Sequence, residues 1–188
     1  MPRLRSHSMF KGDAMIVRKQ LYFSCLAALM GLASPFALAQ QKHSHAHEHG
    51  KGNLEITLDK NRLTSRFTSP LEALVGFERL PKSQAETDAI AALNQRLQNP
   101  AALISVNAEA ECKPAILENK IVRDAANKHA DLHYQLEFTC AKPAALKQIT
   151  ILLFKDTKHL KEVRVEWVGS KGQKSSTATA KSSTVMLN

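Results

Sequence analysis

The chain has 188 residues, with 26 Lys and Arg against 17 Asp and Glu for a formal charge of +9, and only 5% of it is aromatic. That length suffices for a sizeable core, and no basic stripe interleaved with aromatics occurs, which removes the usual footprint of a nucleic-acid binder. Residues 40–188 hold 15 Lys, 6 Arg and 16 Asp or Glu, a surplus of five positive charges, too scattered to single out an acidic membrane surface.

The first predicted element is an address. Arg18 and Lys19 precede an almost wholly apolar or small run, Leu21 to Leu38, and Ala37-Leu38-Ala39 supplies the small-x-small pattern that a signal peptidase cleaves. Residues 1–39 are therefore expected to form a signal peptide, with Met15 as an alternative start that would give it the usual length. The run approaches the ~20 residues that span a bilayer, but Pro35 and the Ala-x-Ala site favour removal, so no membrane anchor is expected after cleavage. Cys25 lies too early in the run, behind Tyr22-Phe23-Ser24, to be a lipidation site.

Residues 40–52 (QQKHSHAHEHGKG) contain nothing apolar larger than alanine, so no burial offsets the entropy of ordering them and a flexible arm is expected. From Asn53 the pattern has period two. Leu54, Ile56 and Leu58 alternate with polar residues, Asp59-Lys60-Asn61 is turn chemistry, and Leu63, Ser65 and Phe67 resume the alternation, which predicts a β-hairpin. Ser69-Pro70 breaks it, and Leu71–Phe77 is an apolar segment suited to packing across a sheet face. Ser83-Gln-Ala-Glu86 is a capping box opening a helix, with Ile90, Leu93 and Leu97 at helical spacing and Asn99-Pro100 as its stop.

Ala115–Val122 reads as a strand and Asp124–Lys128 as a polar loop. In the next strand Ala130, Leu132, Tyr134, Leu136, Phe138 and Cys140 point one way, while Asp131, His133, Gln135, Glu137 and Thr139 continue from His129 on the other face. Pro143-Ala-Ala-Leu suggests a helical turn. Ile149–Phe154 is expected to be a buried strand pairing with Glu162–Val168 across Lys155–Lys161. Gly169–Gly172 is a turn, and the Ser/Thr/Ala tail a weak last strand or a frayed end. The whole reads as an α+β protein, mainly antiparallel sheet with one longer helix and short helical turns, in a single domain over 53–188. Cys112 and Cys140 remain after cleavage. Their 28-residue spacing in an exported chain favours one disulfide over a thiolate metal site, which would want CxxC-type spacing.

The alternating run His43, His45, His47, His49 is the strongest chemical signal. Neutral imidazole suits zinc, copper and nickel, and four imidazoles on an arm can wrap one ion without a preformed cavity, with Glu48 able to add an oxygen. Because imidazole must shed its proton to ligate, affinity should fall below about pH 6.5. Met186 is the only methionine left after cleavage, which disfavours a Cu(I) carrier. His129, Asp131 and His133 form a second candidate. Strand residues four apart lie about 13 Å apart, so His129 and His133 cannot share one ion unaided, whereas neighbours two apart can if other ligands join them. The bland readings are an inert His-rich linker and a solvent-facing strand. No HExxH, GxSxG or phosphate-binding glycine loop occurs, so an enzyme is not expected.

The His-rich arm leading into Gly50–Asp59, the segment Ser69–Glu78 (SPLEALVGFE), Cys112, the strand His129–Cys140 and Pro143-Ala-Ala-Leu together resemble the ZrgA-like periplasmic zinc-uptake proteins of Gram-negative bacteria, over residues 43–179. Ser69–Glu78 is the most specific part of that resemblance. It implies a periplasmic zinc-binding accessory protein that captures Zn²⁺ and supports uptake, delivering it to a solute-binding protein or transporter. Members of that family often carry a second His-rich stretch before the long strand. Here Asp124–His129 is nearly histidine-free, so a smaller metal capacity is implied. Two rival readings stand beside this one: a β-rich envelope interaction domain with a passive linker, and a Ni²⁺ or Cu²⁺ buffer.

Overall fold

The computed structural model describes residues 49–170 and 172–187. The expected signal peptide, His43, His45, His47 and Glu48 lie outside them. Among the described residues no helix is long and apolar enough to cross a membrane.

The period-two stretch folds into β1 (Lys51–Asp59) and β2 (Arg62–Pro70), an antiparallel hairpin pairing Leu54 with Phe67 and Ile56 with Ser65. Lys60 takes the left-handed conformation at its turn. The strand begins at Lys51, two residues before the expected Asn53. Pro70 cannot donate a ladder hydrogen bond, and the chain there turns into α1 (Leu71–Val75), which buries Leu71, Ala73 and Leu74 and ends at Gly76.

Helix α2 (Gln84–Arg96) starts at the Ser83 cap, whose hydroxyl accepts from the Glu86 N–H at 3.2 Å. It packs Leu93 and Leu97 inward. After β3 (Ile104–Val106) come the long strands β4 (Cys112–Arg123) and β5 (Ala130–Cys140), where Cys112 faces Cys140 in the register and the two form a disulfide. The remaining strands are β6 (Gln148–Ile151), β7 (Glu162–Gly169), β8 (Gly172–Thr179) and β9 (Thr184–Met186).

Six strands form one sheet in the order β4-β5-β2-β1-β7-β8, and three form a second, β3-β6-β9. All pairs are antiparallel except β1 with β7. The fold is thus α+β and dominated by antiparallel sheet. The core lies between the sheets: Leu54, Phe67, Leu132, Tyr134, Leu136 and Val163 from the large one meet Ile104, Ile149 and Ile151 from the small one, with Leu93 and Leu97 beside them. Each such side chain contributes about 1.5–3 kcal/mol by leaving water. The Tyr134 hydroxyl donates to the Leu97 carbonyl at 2.9 Å, tying β5 to the end of α2, and burial pushes its pKa up to about 12.

One expectation is corrected. The stretch Ile149–Phe154 does not pair with Glu162–Val168. It is strand only as far as Ile151, a 3-10 turn follows over Leu153–Lys155, and the connection crosses from the small sheet to the large one. There β7 finds β1 as a parallel neighbour. Ile149 and Ile151 are apolar enough to be buried from both sides, so alternation fixed the strand but not its partner. The Ser/Thr/Ala tail takes the strand form of its two expected readings and ends in β9. Gly172–Thr179 pairs along β7 from Gly169↔Gly172 to Glu162↔Thr179 as the sheet's edge, with only Ala178 buried.

Candidate metal centre

The histidine arm reaches the fold at His49, the residue before Gly50 and β1. The Gly50 carbonyl accepts from the Lys161 N–H at 2.7 Å, and the Ser69 hydroxyl donates to the Lys51 carbonyl at 3.1 Å. The root of the arm is therefore pinned between the end of β2 and the segment leading into β7. The His49 ring lies against α1, with Nδ1 3.3 Å from Glu72 Oε2. The imidazole is largely exposed, whereas Glu72 keeps a quarter of its side chain in solvent and its Oε2 atom is buried with no hydrogen-bond partner among the described residues.

His159 stands close by. Its ring lies on Gly76, where a Cβ would come within 3.0 Å of Nε2, and its carbonyl lies 2.9 Å from where a Gly50 Cβ would be. Gly76 sits one helical turn after Glu72 and donates its N–H to the Glu72 carbonyl at 2.8 Å. From the residues alone His159 reads as an ordinary loop histidine, so its place beside the arm root is a finding of the fold.

On the far side, His129 precedes β5 at the end of the Asp124–Lys128 loop, held by the Asp124 N–H donating to its carbonyl at 3.0 Å. Its Nδ1 is 2.6 Å from Glu78 Oε1. Glu78 is only 15% exposed at the side chain, and its loop is tied by Arg123 donating to the Glu78 carbonyl at 2.9 Å. A carboxylate on Nδ1 leaves Nε2 as the ligating nitrogen, the arrangement by which metal-binding imidazoles are usually oriented. Asp131 pairs with Pro70 and His133 with Thr68 in the register, on the outer face of the sheet. With Thr68 paired to Asn53, the start of β1 lies two strands away, about 10 Å.

His133 has different surroundings. It faces Lys120 across β4, and Lys120 is ion-paired with Glu118. That ammonium first, then the charges of His133 and Arg66, hold the Glu118 carboxyl below its ordinary range. The charge opposite His133 is thus a lysine already met by a carboxylate. The structure thus brings His129 and Asp131 toward the arm root and sets His133 beside the Lys120–Glu118 ion pair. Among the described residues no three His, Cys, Asp or Glu side chains converge on one point as they stand.

Cys112 and Cys140 are joined to one another. A surface hollow of about 320 Å³, lined by Asn107, Glu109, Lys147 and Met186 among others, holds no histidine. Asn107 there is structural: its Oδ1 accepts from the Lys147 N–H at 2.9 Å and its Nδ2 donates to the Ala145 carbonyl at 2.9 Å.

Glu72 and Glu78, the carboxylates that meet His49 and His129, both fall within Ser69–Glu78. The model of one family, described as the ZrgA family zinc uptake protein, matches residues 46–187. No curated protein matches the chain.

Proposed function

The chain belongs to the ZrgA family of zinc uptake proteins, and from that premise we propose that it is an exported, periplasmic zinc-capture protein whose His-rich arm collects Zn²⁺ in support of uptake. Imidazoles of His43, His45, His47 and His49, with Glu48, gather the ion by ligand exchange. His129 and Asp131 serve as a way-station from which it passes to a solute-binding protein or transporter. The observation that carries this reading is the Glu78–His129 pair at 2.6 Å: a mostly buried carboxylate fixes the tautomer of a half-exposed imidazole on the same end of the sheet as the arm root. His133, the other candidate of that strand, has the weaker claim because its cross-strand neighbour is a lysine, whereas His129 meets a carboxylate.

An arm that must be ordered on binding gives exchangeable, moderate affinity, which suits transfer. The test is calorimetric zinc titration of the protein and of its His43/His45/His47/His49→Ala variant, with Ni²⁺ and Cu²⁺ as competitors. The variant should lose most of the zinc bound at micromolar metal. Equal binding by both proteins would remove the arm as the site, absence of binding by both would remove the uptake role, and stronger binding of Ni²⁺ at physiological ratios would favour a nickel buffer.

A further inference from the structure

We propose that His49, Glu72 and His159 form a zinc site of their own at the root of the arm, an inference that rests on the reading of the chain as a zinc carrier. Three observations point to it. First, the 3.3 Å between His49 Nδ1 and Glu72 Oε2 is not a hydrogen bond, since Oε2 has no hydrogen-bond partner among the described residues. Two ligands held 2.0–2.1 Å from a tetrahedral zinc lie about 3.3–3.4 Å from one another. The pair is thus spaced as two corners of one coordination tetrahedron. The 2.6 Å Glu78–His129 contact is too short for that and is an orienting hydrogen bond instead.

Second, a buried carboxylate oxygen without a donor is unfavourable, and a cation seated on it removes the penalty. Glu72 cannot withdraw easily, because its helix is anchored by the buried Leu71, Ala73 and Leu74. Third, the backbone brings His159 to the same place. The Gly50 and His159 backbones touch, so the two imidazoles spring from neighbouring positions, and Gly76 gives up a side chain where the His159 ring rests, one turn from Glu72. His159 is exposed and supplies the third ligand by rotating its side chain toward Glu72. Water completes a His₂Glu set, in which one coordination position stays open to an incoming ligand.

The test starts from the His43/His45/His47→Ala variant, which keeps His49, Glu72 and His159. Titrated with Zn²⁺, it should bind about one equivalent, and adding either Glu72→Gln or His159→Ala should weaken that binding by about tenfold or more, at least the lower end of what outer-shell partners contribute. Without metal, Glu72→Gln should be no less stable than its parent, because a neutral amide replaces an unsatisfied carboxylate; zinc should raise the parent's melting temperature and not that of the substituted protein. If the triple variant binds no zinc while the unaltered protein does, the arm acts alone and this site is overturned with the uptake reading intact. Unchanged affinity after both added substitutions overturns it equally. Failure of the unaltered protein to bind zinc defeats both.

Discussion

Gly76 holds φ at 91°, and the His159 ring takes the space that its side chain would fill. A residue with a Cβ pays about 1–2 kcal/mol for that left-handed backbone and meets Nε2 at 3.0 Å. Gly76→Ala should therefore lower stability by about that amount in denaturant unfolding and displace the His159 imidazole, visible as a shifted ring resonance; an unshifted ring at full stability would contradict the packing described. The residues of the candidate site differ in how legible they are. His49 and His129 announce themselves by composition and by strand alternation. Their partners Glu72 and Glu78 do not, since nothing local distinguishes a glutamate beside a distant histidine from one on any solvated face. The signal that could have found them was the specificity of Ser69–Glu78 itself, the segment that holds both.

The capping box forms at its serine, whereas its glutamate turns to a different backbone donor. Glu86 Oε2 accepts from the Lys82 N–H at 2.6 Å, one residue before the cap, and both carboxylate oxygens take the Arg79 guanidinium, at 2.9 and 2.7 Å. Arg79 foremost, and the Lys82 N–H next, lower the Glu86 pKa to about 2. A depressed carboxylate stabilises the fold above its ordinary pKa, near 4.5, and that contribution is lost as pH falls from there toward 2. Amide protection in the first turn of α2 should decline over that window, and Glu86→Gln should flatten the decline. An identical acid profile in the variant would show that Glu86 does not hold the helix start. Elements in general were legible here because alternation and caps are local: β1, β2, β5, β7 and α2 all follow from spacing. The partner of β6 was not, because a ten-residue connection serves a hairpin and a crossing between sheets equally well.

Across the molecule, the order β4-β5-β2-β1-β7-β8 decides which distant residues share an end of the sheet. The arm enters at β1, His129 and Asp131 come from β5 two strands away, and His159 comes from the lead into β7 on the other side. This convergence depends on the parallel β1–β7 pair, and no local pattern foretells a parallel neighbour. A histidine-rich arm was thus legible from composition, whereas the side chains gathered around His49 required the topology. The most direct measurement is zinc K-edge X-ray absorption of the protein loaded with one equivalent of Zn²⁺. The expected spectrum has a nitrogen and oxygen first shell at about 2.0–2.1 Å, with the outer-shell scattering of two or more imidazoles and no sulfur. A shell of oxygen alone, without imidazole scattering, or one containing sulfur, would contradict it.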